Sequence, residues 1–212
     1  MKFKSMAGAA CSLFLALALI VGYVPQNVKA AGTTAFNDVK AGAWYEGTVQ
    51  WGITGGIIKG YDDGSFKPGK TVTEAEFLAM LLRSFEPNLA AVPSITWSDI
   101  YYARAKQLNY PVRSFTDLKV RNTVILRKQV AELISSTEGV NFSGDNAIRY
   151  LLAFGLAEGK NPNKAGIQSF EGDQALTRVE ALQFIKNLKD YGIGGLLDRP
   201  AEASNPNDIP QL

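Results

Sequence analysis

The strongest constraint on this chain is that it repeats itself at intervals of about fifty residues. Thr73-Glu74-Ala75-Glu76-Phe77, Leu126-Arg127-Lys128-Gln129-Val130 and Thr177-Arg178-Val179-Glu180-Ala181 follow one another at offsets of 53 and 51 residues. Apolar residues downstream stay in register: Phe77, Val130 and Ala181, then Met80, Leu133 and Phe184, then Leu81, Ile134 and Ile185. Within each copy they stand at i, i+3 and i+4, the spacing of one helix face. Upstream, Gly56-Ile57-Ile58-Lys59-Gly60 is answered by Gly155-Leu156-Ala157-Glu158-Gly159, and in the middle copy by Asn109-Tyr110-Pro111-Val112-Arg113. Asn tolerates a left-handed backbone better than other non-Gly residues, so Asn109 can replace the helix-ending Gly. Helix-compatible stretches precede these stops at Trp44–Thr54, Trp97–Leu108 and Asp145–Phe154, with Trp44 and Trp97 in equivalent places. Each unit reads as helix, stop, irregular loop and second helix. Two helices of a dozen residues cannot bury their apolar faces alone, so the units are expected to pack into one all-α body.

Composition narrows the chemistry. The chain of 212 residues has no His and a single Cys, which removes imidazole-based nucleophile pairs, imidazole metal ligands, internal disulfides and structural zinc. Residues 1–30 read as a signal peptide: Lys2 and Lys4 precede an uncharged stretch, Met6–Val24, and Val28-Lys29-Ala30 has small residues where signal peptidase cuts. The rival reading is an uncleaved membrane anchor. The segment holds three of the 22 basic residues and no acid, which leaves 19 bases against 20 acids. Export would thus turn an apparent charge of +2 into −1, without the basic excess of a nucleic-acid binder. No stable membrane insertion is expected after cleavage.

The first unit resembles an S-layer homology repeat. The likeness rests on Phe36-Asn37-Asp38-Val39, Trp44, Gly56-Ile57-Ile58-Lys59-Gly60-Tyr61, Asp63-Gly64-Ser65-Phe66-Lys67-Pro68 and Thr73-Glu74-Ala75-Glu76-Phe77. The last stands where the family carries Thr-Arg-Ala-Glu. The third unit matches around Gly155–Gly159 and Thr177–Glu180, and the second is degenerate, keeping Trp97 and Arg127. The expected organisation is a signal peptide at 1–30, repeats at 34–86, 94–138 and 139–190, and a disordered Gly- and Pro-rich tail at 191–212. The resemblance implies three helix-loop-helix repeats in a pseudo-threefold bundle with projecting prongs. It also implies non-covalent anchoring to secondary cell-wall polysaccharide, often pyruvylated, in grooves between repeats of a secreted bacterial wall or S-layer protein. Other surface-layer proteins are further expected partners, and no cofactor, metal or catalytic residue is expected.

The residues expected to bind polysaccharide are Asp38, Trp44, Lys59, Gly60, Trp97, Arg127 and Arg178. Each has a plainer reading beside it. Thr73…Glu76 and Thr177…Glu180 form capping boxes. Arg127 and Arg178 sit in a first helical turn, where a cation opposes the helix dipole, and a bound anion meeting free N–H groups would reverse that sign. Otherwise the two side chains fold away to solvent or to a nearby acid. Glu74 in place of Arg predicts fewer than three working grooves. Trp44 and Trp97 suit either sugar stacking or core packing. Gly60 suits close approach of a glycan or a turn with positive φ, Asp38 a sugar hydroxyl or a helix cap, and Lys59 an acidic polymer or plain solvation. Two other functions fit the composition: a helical-repeat surface for a protein partner, and a glycan hydrolase using a carboxylate pair among Glu158, Glu171 and Asp173.

Overall fold

The computed structural model describes residues 36–90, 92–161 and 163–212; the signal peptide expected at 1–30 lies outside them. The described residues are helical, without a strand: α1 (Glu46–Thr54), α2 (Glu74–Phe85), α3 (Asp99–Gln107), α4 (Leu118–Arg121), α5 (Arg127–Thr137), α6 (Gly144–Ala153), α7 (Gly166–Phe170) and α8 (Arg178–Tyr191), with a 3-10 turn at Pro206–Asp208. The fold is all-α. Helices α4 and α7 occupy stretches expected to be irregular.

Local chemistry explains the long helices. Thr73 and Thr177 each close a capping box with Glu76 and Glu180. Leu126 has no side-chain oxygen, so α5 keeps half of the device: Gln129 Oε1 accepts the Leu126 N–H at 2.9 Å. The expected stops are present, with Gly56, Asn109 and Gly155 all left-handed at φ of 64°, 58° and 67°.

What joins the helices is a ring of backbone. Just before α2, α5 and α8 lie Val72, Ile125 and Leu176, all fully buried. Val72 donates its N–H to Leu176 O at 3.0 Å, Leu176 to Ile125 O at 3.2 Å, and Ile125 back to Val72 O at 3.0 Å. A second ring surrounds it: the N–H groups of Glu74, Arg127 and Arg178 go to the carbonyls of Thr123, Gln174 and Lys70. Helix packing closes the same cycle, since α2 packs on α3, α5 on α6 and α8 on α1. The core fills the space between, with Phe66, Phe77, Leu81, Ile134, Phe170 and Ile185 completely buried.

The tail departs from expectation. Residues 191–212 are ordered: after Tyr191 ends α8, the chain runs as a strap across the ends of α3 and α5 before the 3-10 turn at Pro206–Asp208. Leu197 N donates to Thr137 O, Arg199 N to Leu108 O, and Ser204 N to Asn141 O. Asn109 Nδ2 reaches Arg199 O at 3.0 Å, and Arg199 Nη2 reaches Asn141 Oδ1 at 2.6 Å. Ile209 is buried. A Gly- and Pro-rich segment has no period to betray its packing, but helix ends offer unpaired carbonyls, and an extended chain can satisfy them.

Candidate functional site

Two grooves bring together residues that are distant in sequence. One, of about 380 Å³, is lined by Trp44, Arg127, Glu158, Lys160, Glu180 and Phe184 among others. The second, of about 120 Å³, is lined by Trp97, Arg178, Lys59, Arg83, Glu76 and Met80 among others. Each groove therefore pairs an arginine from the first turn of one helix with a tryptophan from a different part of the chain. Trp44 is 67 % exposed and Trp97 56 % exposed, each edge-on to a tyrosine, Tyr45 or Tyr101. The core-packing alternative is thereby removed, because exposed indole faces are left available for an apolar ring surface. Larger clefts at Glu86–Gln107 and around Lys128 and Gln174 contain neither Trp44 nor Trp97, and neither Arg127 nor Arg178.

Both arginines are buried and held by the same device. Arg127 Nε donates to Phe170 O at 2.8 Å, and its guanidinium carbon lies 4.7 Å and 5.1 Å from the ring centres of Phe170 and Phe184. Arg178 Nε donates to Phe66 O at 2.9 Å and Nη2 to Lys59 O at 3.2 Å, with Phe66 and Tyr61 at 4.9 Å and 5.0 Å. A buried guanidinium needs partners for its donors, and loop carbonyls with aromatic faces supply them. Arg127 adds an ion pair, Nη1 to Glu180 Oε1 at 3.2 Å. Burial lowers the Arg127 pKa, opposed by the Glu180 charge.

One expectation about these arginines fails. Their helix starts carry no free N–H groups for an anion. Arg127 N and Lys128 N are bonded to Gln174 O and Gly172 O, and Arg178 N and Val179 N to Lys70 O and Pro68 O. Glu180 N donates to the Thr177 hydroxyl oxygen. The ring that assembles the fold consumes the donors, so attraction for an anion must come from side-chain charge.

Residues 35–78 match the family model for the S-layer homology domain. The chain carries an S-layer homology domain. It is also 39 % identical over 194 residues to the S-layer protein sap of Bacillus anthracis, covering 82 % of this chain and 24 % of that protein. It is 26 % identical over 197 residues to the middle cell wall protein of Brevibacillus brevis, covering 84 % of this chain and 18 % of that protein. S-layer protein EA1 of Bacillus anthracis is similar at 26 % identity over 200 residues, covering 82 % of this chain and 22 % of that protein. The chain thus spans about a fifth of the length of these three relatives.

Within the S-layer homology segment, two of the expected binders have structural contacts of their own. Asp38 does not line either groove: its carboxylate accepts Phe66 N at 2.7 Å and Lys67 N at 2.8 Å, which fixes the loop after Gly64. Gly60 lacks the positive φ, and the space where a Cβ would stand is taken, with Phe36 Cε1 at 2.1 Å. Its lack of a side chain serves the packing of Phe36, which stacks on Phe66 at 5.6 Å. Gly159 makes the same accommodation for Ser169. Lys59 is exposed on the rim of the Trp97 groove, and its carbonyl holds Arg178.

The structure adds three residues that motif reading passed over. Lys160 lines the Trp44 groove, with Nζ 3.1 Å from Glu180 Oε1. Arg83 lines the Trp97 groove and donates to Tyr101 Oη at 2.6 Å. Arg113 pairs with Glu74 at 3.0 Å. The third arises where the motif arginine is absent, and its signal was the charge reversal at Glu74.

Proposed function

We propose that this protein is a non-catalytic anchor that binds secondary cell-wall polysaccharide at the bacterial surface through the Trp44 and Trp97 grooves. The observation that carries the reading is the repeated pairing of a buried, carbonyl-locked arginine with an exposed indole in a cleft between chain segments. An indole offers an apolar face for a sugar ring, and a cation held in place offers a donor array for a carboxylate such as a pyruvate ketal. The S-layer homology match and the names of the relatives, surface-layer and cell-wall proteins, point to the same location and role. Residues 34–86, 94–138 and 139–190 act as three repeats in this reading, with a signal peptide before them. The position corresponding to Arg127 and Arg178 in the first repeat is Glu74, whose carboxylate is already filled by Arg113, so two grooves bind rather than three. Other surface-layer proteins are partners for the assembled coat.

Sedimentation with purified cell-wall sacculi tests the proposal. The protein is expected to pellet with intact sacculi, to stay in solution after acid stripping of the secondary polymer, and to leave wall turbidity unchanged. Pelleting that survives stripping would overturn polymer binding, and clearing of the suspension would point to hydrolysis.

A further inference from the structure

The two grooves share a plan but not a charge. In the Trp44 groove, Glu180 Oε1 lies 3.2 Å from Arg127 Nη1 and 3.1 Å from Lys160 Nζ, so one carboxylate spans both cations. Glu158 lies on the same lining, which balances two cations with two carboxylates. In the Trp97 groove the cations are Lys59, Arg83 and Arg178, against Glu76 alone. Glu76 is turned elsewhere: its Oε1 is 3.6 Å from Lys70, and its Oε2 accepts Thr73 N. Among the described residues no carboxylate lies within ion-pair distance of Arg178. Lys67 and Lys70 lie over the Tyr61 ring that also faces Arg178, but they are paired with Asp63 at 2.9 Å and Glu76 at 3.6 Å, so the excess charge rests on Lys59, Arg83 and Arg178.

An acidic group entering the Trp97 groove meets uncompensated positive charge. The same group entering the Trp44 groove meets Glu180 at the point where it would contact Arg127, and must displace a carboxylate already in place. Glu180 cannot swing away freely, because its other oxygen closes the capping box with Thr177 N at 2.9 Å and Thr177 Oγ1 at 2.8 Å.

Resting on the groove reading above, we propose that Glu180 is a specificity-determining residue: it makes the Trp44 groove a site for an uncharged sugar, while the Trp97 groove takes the acidic residue of the glycan. The two grooves then read different units of one polymer, and the chain distinguishes an acidic polysaccharide from a neutral one through the Trp97 groove alone.

Glu180→Gln isolates this role, because Gln129 fills the same capping position in α5 with an equivalent bond to Leu126 N. The probes are a hexosamine pyruvate ketal and its methyl ester, titrated into the protein while the indole N–H resonances of Trp44 and Trp97 are followed, assigned with Trp44→Phe and Trp97→Phe. In the native protein the ketal is expected to shift Trp97 and not Trp44, and the ester to shift Trp44 more than Trp97. In Glu180→Gln the ketal is expected to shift both, with at least a tenfold gain in affinity at Trp44. Lys160→Met, an exposed change that leaves Glu180 in place, is expected to keep Trp44 silent toward the ketal. The proposal is overturned by a ketal response at Trp44 equal to that at Trp97 in the native protein. A Trp44 that stays silent in a folded Glu180→Gln, or gains a response in Lys160→Met, overturns it as well. If neither indole responds to either probe while the protein still pellets with sacculi, the groove assignment falls and anchoring stands. If pelleting is absent too, both fall.

Discussion

The carboxylate of Glu74 takes both the main-chain N–H and the Nε of Arg113, through Oε2 at 3.1 and 3.0 Å, while its other oxygen accepts the Tyr102 hydroxyl at 2.9 Å. Glu74 is only 1 % exposed. Burial first, and then the Glu74 charge, push the Tyr102 pKa far up, so the hydroxyl stays protonated as a donor. Where α5 and α8 begin with an arginine reaching into a loop, α2 begins with a glutamate that receives one.

Removing the centre of this cluster leaves a buried hydroxyl and a guanidinium without their acceptor. Glu74→Ala is expected to cost about 3 kcal/mol in urea unfolding, and Glu74→Arg more, because it brings two guanidinium groups together. Adding Arg113→Glu to Glu74→Arg should recover part of that loss. A Glu74→Ala variant as stable as the parent would show the pair to be incidental.

Glu138 gives a prediction in pH. Burial raises its pKa, opposed by the Ile193 N–H that it accepts. A carboxyl whose pKa is raised in the folded state binds its proton more tightly there than in the unfolded chain. Its contribution is therefore full at low pH and is lost as pH rises through the folded value. Glu138→Gln keeps an acceptor for Ile193 and removes the charge. It should raise Tm at pH 7 and have little effect near pH 4; calorimetry at the two values decides, and an equal effect at both would contradict the assignment.

The strap is tested at Arg199. Arg199→Ala removes the bond to Asn141 Oδ1 and the weaker one to Asn109 O, at a cost of about 1–2 kcal/mol. Hydrogen exchange at the Leu197 and Ser204 amides, which are bonded to Thr137 O and Asn141 O, should accelerate well beyond that of the Val72 amide in the central ring. Uniform acceleration across the protein would mean that the strap is not a separate unit.

The exposed indoles separate binding from folding. Trp44→Ala and Trp97→Ala should each weaken pelleting with sacculi by roughly tenfold, equivalent to about 1.4 kcal/mol, and shift Tm by less than about 2 °C. A large fall in Tm would return the tryptophans to a packing role.

Much of this architecture is legible from spacing alone. The three second helices begin within a residue of Thr73, Leu126 and Thr177, because a cap, its partner three residues on and an apolar face all lie within two turns. Asn109 was legible for the same reason, as a left-handed stop judged against Gly56 and Gly155. The loop contacts of Asp38 and Gly60 are not legible in the sequence, because their partners lie outside any local window: Phe66 and Lys67 for Asp38, Phe36 for Gly60. The order of the tail is not legible in the sequence, because extended chain satisfies carbonyls at the ends of α3 and α5 without any repeating pattern of its own.

Sequence by itself determined the helical units, their caps and the place where one arginine is replaced by a glutamate. These depend on bonds and faces that span a few residues, and such distances are written directly in the order of the chain. Only the tertiary structure decided that helix-start N–H groups are spent in the ring, that Arg127 faces Glu180 while Arg178 faces carbonyls, and that both tryptophans stand open. Those outcomes depend on segments 43 to 119 residues apart meeting at one point. The physical reason is that buried charge must find whichever acceptor the packing brings near, and no motif records which acceptor that will be.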